Sequence, residues 1–188
     1  MPHYHKLNGQ KCYLSPVQPA DADLFTAWLN DLEVTLPLGD EAYDVIGLER
    51  MQEDVSSAIQ NKAHVFSIVE SSTNQTVGRC LLFSVDMVNR SAETGIFIGD
   101  KDWWNQGIGT EAMCLLLDYA FNLLNLHSVM LGTYSFNERS VHVYEKVGFR
   151  IIGERRDVRC VRGTYYHLIL MDILEDEFRS RWKSIVRV

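Results

Sequence analysis

The run Thr110–Leu124, TEAMCLLLDYAFNLL, restricts the possible folds more than any other segment. Its residues favour helix, and its apolar side chains fall on several faces instead of one. Such a helix must be covered on more than one side, so it belongs in the interior. It is too short to cross a bilayer, and no other apolar run approaches that length. A chain of 188 residues, 46% hydrophobic and 23% charged, is large enough to bury it in one globular domain. One domain over residues 1–188 is therefore expected, with residues 1–8 as a flexible tail. The opening MPHYHKLNGQ has no apolar signal core, which predicts a cytoplasmic protein with no membrane partner.

The periodicities around that helix set the fold class. Lys11–Pro16 reads as a short strand stopped by Pro16. PADADLFTAWLNDLE reads as a helix burying Leu24, Ala27, Trp28 and Leu29. Residues 34–47 are irregular, and an amphipathic helix runs from about Leu48 to Gln60. Ala63–Glu70 and Thr76–Asp86 form a hairpin around the polar SSTNQ. Ala92–Asp100 is a further strand, where Gly95 marks a bulge or a close backbone approach. After the apolar helix come a buried strand, His127–Tyr134, and a helix, NERSVHVYEKVG, closed by Gly148. FRIIGERRDVR and TYYHLILMDIL make a final hairpin, followed by a polar helix over Glu175–Lys183. This order is mixed α/β without a regular βαβ repeat, which disfavours a doubly wound nucleotide fold.

Several function classes fall away. A net charge of −7 opposes nonspecific nucleic-acid binding, so no nucleic-acid partner is expected. Cys12, Cys80, Cys114 and Cys160 show no CxxC spacing, and the six histidines make no HExxH, so no metal is expected.

The apolar helix is preceded by WNQGIG, Trp104–Gly109. Glycines at 107 and 109, at a helix start after a strand, permit two readings. One is plain loop punctuation. The other is a cradle in which first-turn amides and the helix dipole hold an anion such as a pyrophosphate. Gln106 and Thr110 would then add side-chain donors. No G-x-x-x-x-G-K-[ST] is present, so the cradle is not a nucleoside triphosphate P-loop. Some thirty residues on stands NERSVHVYEKVGF, where Asn137 holds a capping position. Ser140 and Tyr144 share a helical face with it. Ser140 and His142 are two apart on a helix and diverge, which removes them as a nucleophile–base pair.

Together these two segments resemble the GNAT superfamily of acyl-CoA-dependent N-acetyltransferases. That family's patterns are [QR]-x-x-G-x-[GA] and N-x-x-[SA]-x-x-x-Y-x-x-x-G-F. Asn137–Phe149 matches the second throughout; the first matches in its glycines, with Trp104 in place of Gln or Arg. The resemblance runs from about Gly9 to Phe178. YLSP, WLND, GTEA and LILMDILEDE are similar to the branch of ribosomal-protein N-terminal acetyltransferases. Asn105 departs from the glycine usual there, adding an amide donor or loosening the turn.

The resemblance implies a twisted, mostly antiparallel central sheet flanked by helices, with a splayed strand pair binding CoA. It implies acetyl transfer from acetyl-CoA to a primary amine by direct attack, with no covalent enzyme intermediate. Ile96, Phe97 and Ile98 would hold the pantetheine arm. Trp104, Asn105, Gln106, Gly107, Ile108, Gly109 and Thr110 would form the pyrophosphate loop. Asn137 and Ser140 would face the cofactor, and Tyr144 would donate a proton to the departing thiolate. The amine's proton would go to Glu93 or to a water chain. Asp31, Glu33, Asp40, Glu41 and Asp44 fall where the acceptor site is bordered. They would attract a cationic acceptor, a small amine or a protein N-terminus, or make only a solvated loop. His167 would tune substrate choice or simply pack. The rival function is a non-catalytic acyl-CoA-binding module, in a monomer or a homodimer.

Overall fold

The computed structural model describes residues 3–184. One eight-stranded sheet organises it, in the order β1-β2-β3-β4-β5-β6-β8-β7. The strands are β1 (Leu7–Asn8), β2 (Cys12–Pro16), β3 (Val65–Glu70), β4 (Thr76–Asp86), β5 (Ser91–Ile98), β6 (Ser128–Tyr134), β7 (Arg150–Val161) and β8 (Thr164–Leu174). All neighbours pair antiparallel except β5 and β6. The expected mixed α/β class and mostly antiparallel sheet are what the chain adopts.

The helices are α1 (Asp21–Leu29), α2 (Leu32–Thr35), α3 (Leu48–Gln60), α4 (Ile108–Asp118), α5 (Glu138–Val147) and α6 (Glu175–Arg181). The apolar run behaves as its composition requires. In α4, Ala112, Met113, Leu115, Leu116 and Leu117 are fully buried against one face of the sheet. The helix passes into a π-helical turn over Tyr119–Leu123, which carries Ala120 and Phe121 into the same core. On the other face, α1 and α3 enclose a smaller core around Phe25, Leu29, Met51, Val55 and Phe97.

Three expectations need correction. α1 stops at Leu29, with α2 separate, and buries Ala22, Phe25 and Leu29, while Leu24 is 41% exposed and Ala27 is exposed as well. The sheet side is the stripe that meets Phe97, and Trp28 only flanks it. The expected loose tail is instead anchored from His3 onward; residues 1–2 lie outside the described residues. Leu7 is buried and pairs with Leu14, and His3 Nε2 lies 2.8 Å from the Thr76 hydroxyl. The last helix is amphipathic and not simply polar. Phe178 is buried against Phe121, and the Trp182 indole donates to the Val147 carbonyl.

One departure from regularity positions the site. β5 and β6 pair in parallel only from Ser91↔Ser128 to Glu93↔Met130. Beyond that point β6 continues beside β8 as far as Tyr134, while β5 stays with β4 as far as Ile98. The two strands therefore splay and leave a wedge in the middle of the sheet. Backbone groups alternate in direction along an antiparallel strand. The Gly99 N–H bonds the Val77 carbonyl, which assigns Phe97 and Gly95 to β4 and turns Ile96 and Ile98 toward the wedge.

Candidate active site

The wedge opens into a cleft of about 130 Å³. β5 contributes Ile96, Phe97 and Ile98, α5 contributes Ser140 and Tyr144, and the cap of α5 contributes Asn137. The loop before α4 contributes Trp104, Asn105 and the cap Gly107, and the first turn of α4 contributes Gly109 and Thr110. The two motifs, far apart in sequence, thus face each other across one opening.

The cradle fits an anion. Gly107 caps α4 at φ 83°, ψ 2°, the left-handed region that glycine enters without penalty. No side chain caps this helix, so its first amides remain available to a ligand. A Cβ at Gly109 would meet protein only at ordinary contact distance, 3.7 Å from Ile98 Cγ1. What glycine preserves there is room on the cleft side. Asn105 also adopts positive φ, 60°, which asparagine tolerates better than most residues. Two cations stand beside the loop. Lys11 Nζ donates to the Gln106 carbonyl at 2.6 Å, and the Arg139 guanidinium lies 4.0 Å above the Trp104 ring at the cleft wall. Sequence reasoning missed both, because neither is near its partner along the chain.

Trp104 has a definite task. Its indole N–H donates to the Ile98 carbonyl at 2.7 Å, tying the loop to the end of β5. Gln106 and Ile108 do not line the cleft. The Gln106 amide donates to the Asp102 carbonyl at 2.6 Å, which stabilises the loop and takes it away from a ligand. Ile108 is 2% exposed and anchors the helix start in the core. Behind them Glu111 accepts the backbone N–H groups of Gln10, Lys11 and Cys12 at 2.7–2.9 Å, fixing α4 to the start of β2.

On the facing helix, Asn137 is the N-cap, its Oδ1 accepting the Ser140 N–H at 3.2 Å. Its Nδ2 donates to the Pro37 carbonyl, also at 3.2 Å, which draws the 36–39 segment over the wedge. Tyr144 is 7% exposed and packs edge-on against Phe149. Burial pushes its hydroxyl up to about 12, with a hydrogen bond to Ser140 pulling the other way. At neutral pH the hydroxyl therefore stays protonated.

A second cavity of about 550 Å³ meets the first at Ile96, Phe97, Asn137, Ser140 and Tyr144. Asp40, Glu41 and Asp44 line one wall, and Arg79, Leu81 and Phe83 of β4 line the floor. The other acidic candidates lie elsewhere. Asp31 caps α2 and, with Glu33, holds Lys101 at 2.9 and 2.8 Å. Glu93 lines neither cavity. His167 also lies outside both, between Glu154 and Asp157 on the β7–β8 hairpin. A hairpin register cannot be read from the sequence closely enough to separate these alternatives. Among the described residues, no group of three or more His, Cys, Asp and Glu is placed to hold a metal, and no helix is long and apolar enough to cross a membrane.

A family model described as an acetyltransferase (GNAT) domain matches residues 11–150. The chain belongs to the GNAT acetyltransferase family. Acetyl-CoA is accordingly its cosubstrate, and the cradle, wedge and flanking cations suit that molecule's pyrophosphate and amide-bearing arm. The acetyltransferase is 28% identical over 179 residues to the uncharacterized N-acetyltransferase p20 of Bacillus licheniformis, covering 92% of this chain and 97% of that one. It is 31% identical over 110 residues to spermidine N(1)-acetyltransferase of Escherichia coli K12, spanning 58% of this chain and 59% of that protein. Its fold is shared with the crystal structure of spermidine N-acetyltransferase from Vibrio cholerae in complex with CoA and spermine. The TM-score is 0.82 at 23% identity, over 91% of this chain and 99% of that one.

Proposed function

We propose that this acetyltransferase moves the acetyl group to a primary amine by direct attack, inside the wedge between β5 and β6. The observation that carries this reading is the meeting of two cavities at Tyr144, one built around an anion cradle and the other open toward the 37–44 segment. Acetyl-CoA supplies an activated thioester when bound. The chain's residues do the rest. Gly107, Gly109 and Thr110 receive the pyrophosphate, with Arg139 alongside. Backbone groups of Ile96 and Ile98 orient the arm and polarise the thioester carbonyl. Tyr144 donates its proton to the sulfur as the C–S bond breaks. The amine arrives neutral and loses its proton to water in the second cavity, whose carboxylates are Asp40, Glu41 and Asp44.

A thiol-release assay with acetyl-CoA against peptides, polyamines, aminoglycosides and amino acids tests the proposal. Release above the water background with at least one amine is expected. Acetyl-CoA binding without release for any amine would instead favour a non-catalytic acyl-CoA-binding module.

A further inference from the structure

One cation in the second cavity is not accounted for by the transfer itself. Arg79 stands opposite Phe97 in the β4–β5 register, one strand away from the reaction wedge. Its guanidinium carbon lies 5.3 Å from the Phe25 ring centre and 5.4 Å from that of Phe97. Its Nε is buried with no hydrogen-bond partner, and the side chain lines the cavity floor. No carboxylate among the described residues forms an ion pair with it; Glu41 and Asp54 act on it only from a distance.

The two aromatic faces attract a guanidinium but supply neither a hydrogen-bond acceptor nor a counter-ion, so part of the cost of desolvating Arg79 stays unmet. Arg159 shows how this chain uses a buried arginine for structure. It is 3% exposed, with Asp40 at 3.6 Å, the Leu36 carbonyl at 3.4 Å, and the rings of Tyr43 and Tyr134 at 4.3 and 4.9 Å. Its charge is spent on holding the 36–43 segment. The Nε of Arg159 is also unpartnered, but its other nitrogens meet Asp40 and the Leu36 carbonyl. Arg79 has ring contacts and no ion pair among the described residues, and it faces a cavity.

Resting on the reading of this cavity as the acceptor site, we propose that the acceptor is a primary amine that also carries a carboxylate, and that Arg79 is the residue that binds the carboxylate. A guanidinium offers paired N–H donors matched to a carboxylate. The ligand would supply the counter-charge that the protein omits. A polyamine bears only positive charge and meets Arg79 unfavourably, whatever it gains from Asp40, Glu41 and Asp44. Arg79 thus acts as a specificity residue beside a transfer site that is otherwise general for amines.

Matched acceptors test this: amino acids and dipeptides, each with its C-terminal amide, together with spermidine, assayed by CoA release. The carboxylate form of the best acceptor is expected to exceed its amide in kcat/KM by about tenfold or more, the scale of one charge-assisted pair. Arg79→Leu should erase that preference through the acceptor KM and leave the KM for acetyl-CoA unchanged. Arg79→Lys should restore part of it, and Arg79→Met provides a second apolar variant should Leu fold poorly. Equal turnover of acid and amide by the unsubstituted protein, or a preference for spermidine, overturns the proposal and leaves the acetyltransferase reading intact. So does equal loss on acid and amide in folded Arg79→Met. Acetyl-CoA binding with no release for any amine overturns both.

Discussion

Replacing Tyr144 with phenylalanine isolates a single atom of the proposed chemistry. The ring is buried and packs edge-on against Phe149 at 5.8 Å, and phenylalanine keeps that contact. What disappears is the hydroxyl and its bond to Ser140, worth about 0.5–1.5 kcal/mol of stability. The fold and the acetyl-CoA cradle should therefore survive. General-acid assistance contributes about 10²–10⁴ in rate, or roughly 3–5 kcal/mol of barrier. Tyr144→Phe should lower kcat by that factor and leave the KM for acetyl-CoA nearly unchanged. The pH profile adds an independent check. With its value raised to about 12, the hydroxyl stays protonated throughout an assay from neutral pH to mildly alkaline pH. Its donor function would be lost only as pH climbs toward that value. Over the assay range the rate should rise with pH as the amine loses its proton, in the native protein and in Tyr144→Phe alike. Steady-state CoA release, with acetyl-CoA binding measured by calorimetry, reads both quantities. A variant turning over within about threefold of the native rate would refute the acid role.

Gly107→Val should place a branched side chain in the left-handed region, costing about 1–2 kcal/mol or more in stability. Its Cβ would lie 3.0 Å from the movable Lys11 Nζ, so the fold should persist while calorimetric affinity for acetyl-CoA falls about tenfold or more. Unaltered affinity would count against the cradle. Glu111→Ala should remove three bonds to backbone amides, two of them exposed to water, and cost about 1–2 kcal/mol, read as a Tm drop of roughly 2–8 °C. An unchanged Tm would remove its role as the tie between α4 and β2. Arg159→Met should release Tyr43 and the segment around Asp40, raising the acceptor KM a few fold at constant acetyl-CoA KM. Hydrogen exchange in residues 36–44 should quicken, and exchange that stays the same would show that the segment is held by other contacts.

The local physics of this protein was legible residue by residue. An all-round apolar helix had to be buried, and α4 is. Two glycines before it and an asparagine capping the later helix carry their signals in backbone preference and side-chain reach, which act over a few residues. Gly107 is left-handed and Asn137 caps α5 for those reasons. Acid clusters were less legible, because charge along a chain does not say which way a loop turns. Asp40, Glu41 and Asp44 line a cavity, while Asp31 and Glu33 are committed to Lys101. Glu93 and His167 lie outside the cavities although their strands were correctly expected.

The amino-acid sequence alone thus determined the order of the longer elements and the family, which rest on short-range spacing, while the two-residue β1 and the one-turn α2 went unread. Tertiary structure alone decided which stripe of α1 faces the sheet, where β5 and β6 part, and that Arg139 covers Trp104. It also decided that Arg79 lies on the floor of the second cavity with its Nε unpartnered. These are contacts between segments tens of residues apart, and their energies arise only when the whole sheet closes around its two cores.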